Sequence, residues 1–178
     1  MVYVHLAHGY EEIEALTVVD LLRRAGIPVK TVSIEGNVVT GAHDISVTAD
    51  LLIGDADYDN CEMIVLPGGM PGSANLENCA QLQAQIDQFN NQGKFIAAIC
   101  AAPMILGHKG LLDGKKAVIY DGMEAELGKA IVVKDKAVVD GNFITGKGPG
   151  CAIEFALKII AVLKDQKTSD MIRKELLY

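Results

Sequence analysis

The sequence predicts an α/β sandwich in which a mainly parallel sheet is covered by helices on both faces. Three observations predict it. Short, nearly continuous apolar runs recur at Val2–Ala7, Glu62–Leu66 and Phe95–Ile99, as buried strands require. Longer segments with helical start and stop signals alternate with them. The 178 residues are 50% apolar and 22% charged, so one domain spanning 1–178 can bury roughly 70% of its unfolded surface without disulfides or structural metal.

The elements follow in order. Val2–Ala7 is the first strand. Glu11 to Ala25 is a helix, with acids in its first turn, Arg23 and Arg24 in its last, and Gly26 as its stop. Pro28–Ile34 is the next strand, and Val38–Thr48 reads as two short strands about a turn at Gly41-Ala-His-Asp44. Glu62–Leu66 runs into the loop Pro67-Gly-Gly-Met-Pro-Gly72, with helix from about Ser73 and again over Ala80–Asn90. Phe95–Ile99 is the most apolar strand, and a helix starts past Cys100 and fades near Gly107–Gly110. Ala117–Ile119, Ala137–Val139 and Phe143–Thr145 are short strands. Gly148-Pro149-Gly150 opens a helix over Cys151–Leu163, and Thr168 or Ser169 caps the last helix, which runs to Leu177.

Charge and composition exclude several functions. A formal net charge of −7 with no basic stripe argues against nucleic acid, which needs clustered Lys and Arg. No apolar run approaches ~18 residues, so no membrane span is expected. Met1-Val-Tyr-Val-His-Leu-Ala7 is too short and uncharged for a signal peptide, which points to the cytoplasm. Cysteines at 61, 79, 100 and 151 form no C-x-x-C pair or zinc spacing, so reduced thiols and no metal are expected.

In parallel sheets, ligand sites lie beyond the carboxyl ends of the strands. Three unusual loops fall there: Ala7-His-Gly-Tyr-Glu-Glu-Ile-Glu14, Pro67-Gly-Gly-Met70 and Cys100-Ala-Ala-Pro103. Cys100 ends a strand of small and branched residues, alanines beside it leave room for a tight bend, and Pro103 suits a first helical turn. This is the mechanics of a nucleophile elbow. A helix N-terminus behind the sulfur is expected to favour thiolate. The paired glycines let main-chain N–H groups approach closely, so the Gly69 and Ala101 amides are candidate oxyanion donors. Among Glu11, Glu12 and Glu14, helical spacing alone does not choose a functional acid. Neither a Walker A loop nor a dinucleotide fingerprint occurs, and no cofactor is expected.

Gly9-Tyr-Glu-Glu-Ile-Glu14, Leu66-Pro-Gly-Gly69, Ala97-Ala-Ile-Cys-Ala-Ala-Pro103, and Thr145-Gly-Lys-Gly-Pro-Gly150 followed by Glu154-Phe-Ala, resemble the ThiJ/DJ/PfpI superfamily. The branch resembled is that of the parkinsonism-associated protein deglycase and its bacterial relatives. The resemblance implies a flavodoxin-like three-layer sandwich and a homodimer. It also implies Cys100 as nucleophile, Glu14 as the acid hydrogen-bonded to its sulfur, and Gly69 and Ala101 as backbone oxyanion donors. Such an acid assists a thiolate only when it is buried, protonated and donating. Where the branch usually places a histidine, this chain has Tyr120; His8, at the end of the first strand, is the alternative accessory group.

Two functions follow as expectations. Cys100 attacks a reactive carbonyl or a glycated adduct, as in deglycase or glyoxalase members. Alternatively, Cys100 is a redox sensor in a chaperone-like protein, resting as sulfenic or sulfinic acid. An intracellular peptidase or amidase is a third, weaker expectation, because its leaving amine needs a proton donor.

Overall fold

The computed structural model describes residues 1–178. In chain order the elements are β1 (Val2–Leu6), α1 (Glu12–Arg24), β2 (Val29–Ser33), β3 (Val38–Thr40), β4 (Ser46–Thr48), β5 (Leu51–Leu52) and β6 (Met63–Leu66). Then come α2 (Gly72–Asn78), α3 (Ala80–Gln92), β7 (Phe95–Ile99), α4 (Pro103–His108), β8 (Lys116–Ala117) and β9 (Ile131–Val132). The chain ends with β10 (Ala137–Asp140), β11 (Phe143–Gly146), α5 (Ala152–Leu163) and α6 (Gln166–Glu175).

Seven strands form the central sheet in the order β10-β11-β7-β6-β1-β2-β5. All its neighbours are parallel except the β10–β11 pair. Both faces of each inner strand are buried, which is why their sequences read as apolar runs rather than as alternation. Val2, Val4, Met63, Val65, Ala97 and Ile99 face a layer made by α1, α5 and α6. Tyr3, Ile64, Leu66, Ile96 and Ala98 face α2, α3 and α4. The result is the expected three-layer sandwich. His5 sits inside it fully buried, its Nε2 2.7 Å from the Tyr58 hydroxyl, and burial lowers its pKa to about 3, so it stays neutral.

From β1 the chain moves outward to β2 and β5, then returns to the other side of β1 as β6. Connections from β1 and β6 therefore depart in opposite directions, leaving a crevice at their carboxyl ends. That crevice is where the three unusual loops meet.

Local differences from the sequence reading have local causes. The strand expected over Ala117–Ile119 pairs only through Lys116–Ala117, because the Val118 N–H goes to the Thr145 hydroxyl at 3.0 Å. Its partner β9 and the sheet-edge strand β5 are two residues each, too short to signal themselves in sequence. The last helix begins earlier than expected. Asp165, not Thr168 or Ser169, is its cap, accepting from the Thr168 N–H at 2.6 Å, while Ser169 turns inward to donate to the Leu157 carbonyl at 2.9 Å.

Candidate active site

Cys100 occupies the left-handed region, with φ of 63°, although it carries a side chain. Its peptide is held on both sides. The Cys100 N–H donates to the Gly146 carbonyl at 2.9 Å, continuing the β7–β11 ladder, and its own carbonyl accepts from the Tyr120 N–H at 3.0 Å. Ala101 and Ala102, both buried, make the bend, and Pro103 starts α4. Small residues are needed because the turn closes with Ala102 N–H donating to the Ile99 carbonyl at 3.1 Å. The residue itself stays partly exposed.

The loop after β6 supplies the opposite wall. A Cβ on Gly68 would lie 2.5 Å from the Cys100 Cβ and 2.7 Å from Glu14 Oε2, so only glycine lets these two side chains meet across it. The Gly68 N–H donates to Glu14 Oε2 at 2.8 Å. Gly69 follows with φ of 86°, and its N–H and that of Ala101 lie near enough to the Cys100 sulfur to draw its pKa down.

The three acids opening α1 have three separate tasks. Glu11 is the helix cap, its carboxylate accepting from the Ile13 N–H at 3.4 Å. Glu12 reaches the β3–β4 hairpin, accepting the His43 N–H at 2.8 Å and lying 2.9 Å from His43 Nδ1. Glu14, fully buried, turns to Cys100 and Gly68. Glu11, Glu12 and His43 bring ligand-type atoms within 4.8 Å of one another. The Glu12 oxygens are already engaged by the hairpin, so this group is a clasp rather than a vacant metal cage.

Electrostatics couple Glu14 and Cys100. Burial raises the Glu14 carboxyl to about 7, against the lowering effect of the Gly68 N–H and of Cys100; the Glu11 charge adds to the rise. Burial is also the first cause that pushes the Cys100 thiol up to about 12. The Glu14 charge and hydrogen bond push the same way, while the Gly69 and Ala101 N–H groups pull down. The expected helix-driven depression is thus outweighed: α4 is only six residues long, and the sulfur sits beside an acid in a partly buried place. A carboxylate and a thiolate in contact resist being charged together. The pair accordingly releases one proton near neutrality and holds the second tightly. Glu14 Oε1 is buried without a completed hydrogen bond, so it is the oxygen left to address the sulfur.

Of the other sequence candidates, Tyr120 is joined to Cys100 through main chain, and its half-exposed ring lies over Gly148. An open cavity of about 370 Å³ beside it is lined by Tyr120, Asp121, Lys147, Gly148, Pro149, Gly150 and Cys151. His8 is engaged elsewhere: its Nδ1 accepts from the Thr40 N–H on β3 at 3.2 Å. Sequence reasoning missed Gly68, although the glycine pair signalled it, and Gly146, where a Cβ would lie 2.9 Å from both Ile99 and Phe155.

A family model described as the DJ-1/PfpI family matches residues 1–162. The chain belongs to this family. As a DJ-1/PfpI member it is 38% identical to Protein DJ-1 homolog A of Arabidopsis thaliana over 99% of its own length but only 46% of that protein, so it spans about half of that relative. It is 31% identical to Deglycase PfpI of Pyrococcus furiosus, covering 89% of this chain and 96% of that one. The solved structure of oxidized Toxoplasma gondii DJ-1 superposes with a TM-score of 0.95 at 40% identity, covering 99% of this chain and 97% of the other. No helix is long and apolar enough to cross a membrane.

Proposed function

We propose that this chain is a cysteine-dependent protein that removes reactive carbonyls, a 2-oxoaldehyde or its adduct with an amine or thiol, with Cys100 as nucleophile. The observation that carries the reading is the fully buried Glu14 carboxyl facing Cys100 across Gly68, close enough for one proton to pass between the two side chains. With that proton on Glu14, the sulfur is a thiolate steadied by the Gly69 and Ala101 N–H groups and by the neutral acid. The thiolate adds to the aldehyde carbon: a C–S bond forms, and the carbonyl π pair moves to oxygen. Glu14 then hands its proton to that oxygen, giving a thiohemiacetal and a Glu14 carboxylate. The same N–H groups steady the oxyanion before it is protonated. This step needs no histidine, which fits Tyr120 at the position where the family resemblance implies one. A homodimer belongs to the same proposal, as does a cytoplasmic setting.

The second reading is a redox sensor, favoured by the partly exposed Cys100 and by His8 being turned to the Thr40 N–H. Here peroxide oxidises Cys100 to sulfenic and then sulfinic acid, each step releasing water, and Glu14 hydrogen-bonds the new oxygen. Methylglyoxal turnover by wild type and Cys100→Ser, beside mass spectrometry after mild peroxide, separates the two. Turnover that drops at least ~100-fold in the variant supports the enzyme. No turnover in wild type, with a clean gain of two oxygens on Cys100, supports the sensor.

A further inference from the structure

His108 is the last residue of α4, the helix that starts three residues beyond Cys100. Its two ring nitrogens point to carboxylates from two other segments. Nδ1 lies 2.5 Å from Glu77 Oε1 on α2, and Nε2 lies 2.7 Å from Glu126 Oε2 on the short turn after Tyr120. Each segment leads back to the candidate site. Glu126 N–H donates to the Met123 carbonyl, Met123 N–H to the Tyr120 carbonyl, and Tyr120 N–H to the Cys100 carbonyl. On the other side, Ser73 N–H at the start of α2 donates to the Gly69 carbonyl. One imidazole thus joins the elbow helix, the glycine loop's helix and the Tyr120 segment. Gly107 keeps the arrangement tight, since a Cβ there would collide with the Glu126 carbonyl oxygen.

Both contacts are hydrogen bonds only when both ring nitrogens carry protons. A neutral ring donates once and turns a lone pair toward the other carboxylate. We propose that His108 is a positioning residue that, as an imidazolium, holds the Tyr120 segment against the Cys100 elbow and releases it as the ring loses its proton. The idea rests on the site described under the proposed function, but not on its chemistry.

The charged neighbours support a cation here. Glu126 first and Glu77 second raise the His108 pKa above its ordinary 6.5, against slight burial. The remaining charges are otherwise engaged. Glu124 accepts the Gly122 N–H, Asp113 accepts the Lys129 N–H, and Lys109 pairs with Asp87 on α3 at 2.8 Å. Because the folded value is raised, the clamp is fully formed below pH 6.5 and is lost as pH rises through the higher folded value.

The test is amide exchange at Tyr120, corrected for the intrinsic effect of pH, in wild type, His108→Gln and His108→Arg. Arginine is always charged and two-pronged, so it can span both carboxylates. Wild type should lose protection as pH rises through the folded His108 value. His108→Gln should exchange roughly 3- to 10-fold faster at low pH and show no such transition, as expected for losing two partly exposed ion pairs. His108→Arg should keep protection across the range. Equal protection in wild type and His108→Gln, or a wild-type profile without the transition, overturns the proposal. Exchange requires no turnover, so a failed carbonyl assay leaves this result readable.

Discussion

Cys61 and Cys100 are both pushed upward in pKa, to about 11 and about 12, with burial the first cause for each, yet their surroundings differ in kind. Cys61 is 1% exposed and donates its S–H to the Met63 carbonyl at 3.2 Å. Its proton has a fixed acceptor and no route out. Cys100 has a left-handed backbone, two N–H groups that draw its pKa down, and a buried acid beside it. The difference teaches that a raised thiol value records burial first and does not by itself tell the two sites apart. What sets Cys100 apart from Cys61 is a neighbouring acid whose charge can change with it.

The strongest way to break this contrast is at Gly68. Gly68→Ala forces a Cβ to 2.5 Å from the Cys100 Cβ and 2.7 Å from Glu14 Oε2. It should cost about 3 kcal/mol in urea unfolding and remove the selectivity of Cys100 over Cys61 toward alkylation. Wild-type stability in the variant would mean the contact yields without loss.

Glu14→Gln tests the shared proton. Glu14 has a folded value of about 7 against 4.5, so its stabilising effect is complete below pH 4.5 and is lost as pH rises through about 7. The loss is about 3 kcal/mol. Relative to wild type, Glu14→Gln should therefore gain that amount between about pH 5 and about pH 8, while the Cys100 pKa falls because its charged neighbour is gone. A pH-independent stability difference, measured by unfolding at both ends, would place Glu14 outside the coupled pair.

Cys61→Ala is the smallest change expected. Losing one thiol hydrogen bond and little volume should cost about 1 kcal/mol. Cys100 alkylation should be unaffected; slower labelling would show that the two thiols share more than burial.

Much of this site was legible because local chemistry wrote it into short segments. The small residues before Cys100 and Pro103 after it describe a strand meeting a helix through a tight bend, and the chain makes that bend. The apolar runs were legible as strands buried on both faces. What stayed hidden needed the third dimension. Glu11, Glu12 and Glu14 look alike in a helix, and only the placement of the hairpin and of β6 separates cap, clasp and buried acid. Gly68 and Gly69 look alike in a loop, yet one is empty space between side chains and the other a donor. The Cys100 shift runs opposite to the expected depression for the same reason: a helix start is visible in sequence, but the extent of burial around it is not.

The anchoring of the Cys100 peptide between Gly146 and Tyr120 carries a last consequence. Its main chain is locked into the sheet on one side and into the following segment on the other, so an adduct or an added oxygen must be accommodated by rotation about the Cα–Cβ bond. The scaffold can therefore carry different covalent states of one sulfur with little refolding, which makes a catalytic intermediate and a stored oxidation mark structurally compatible cargo for the same mount.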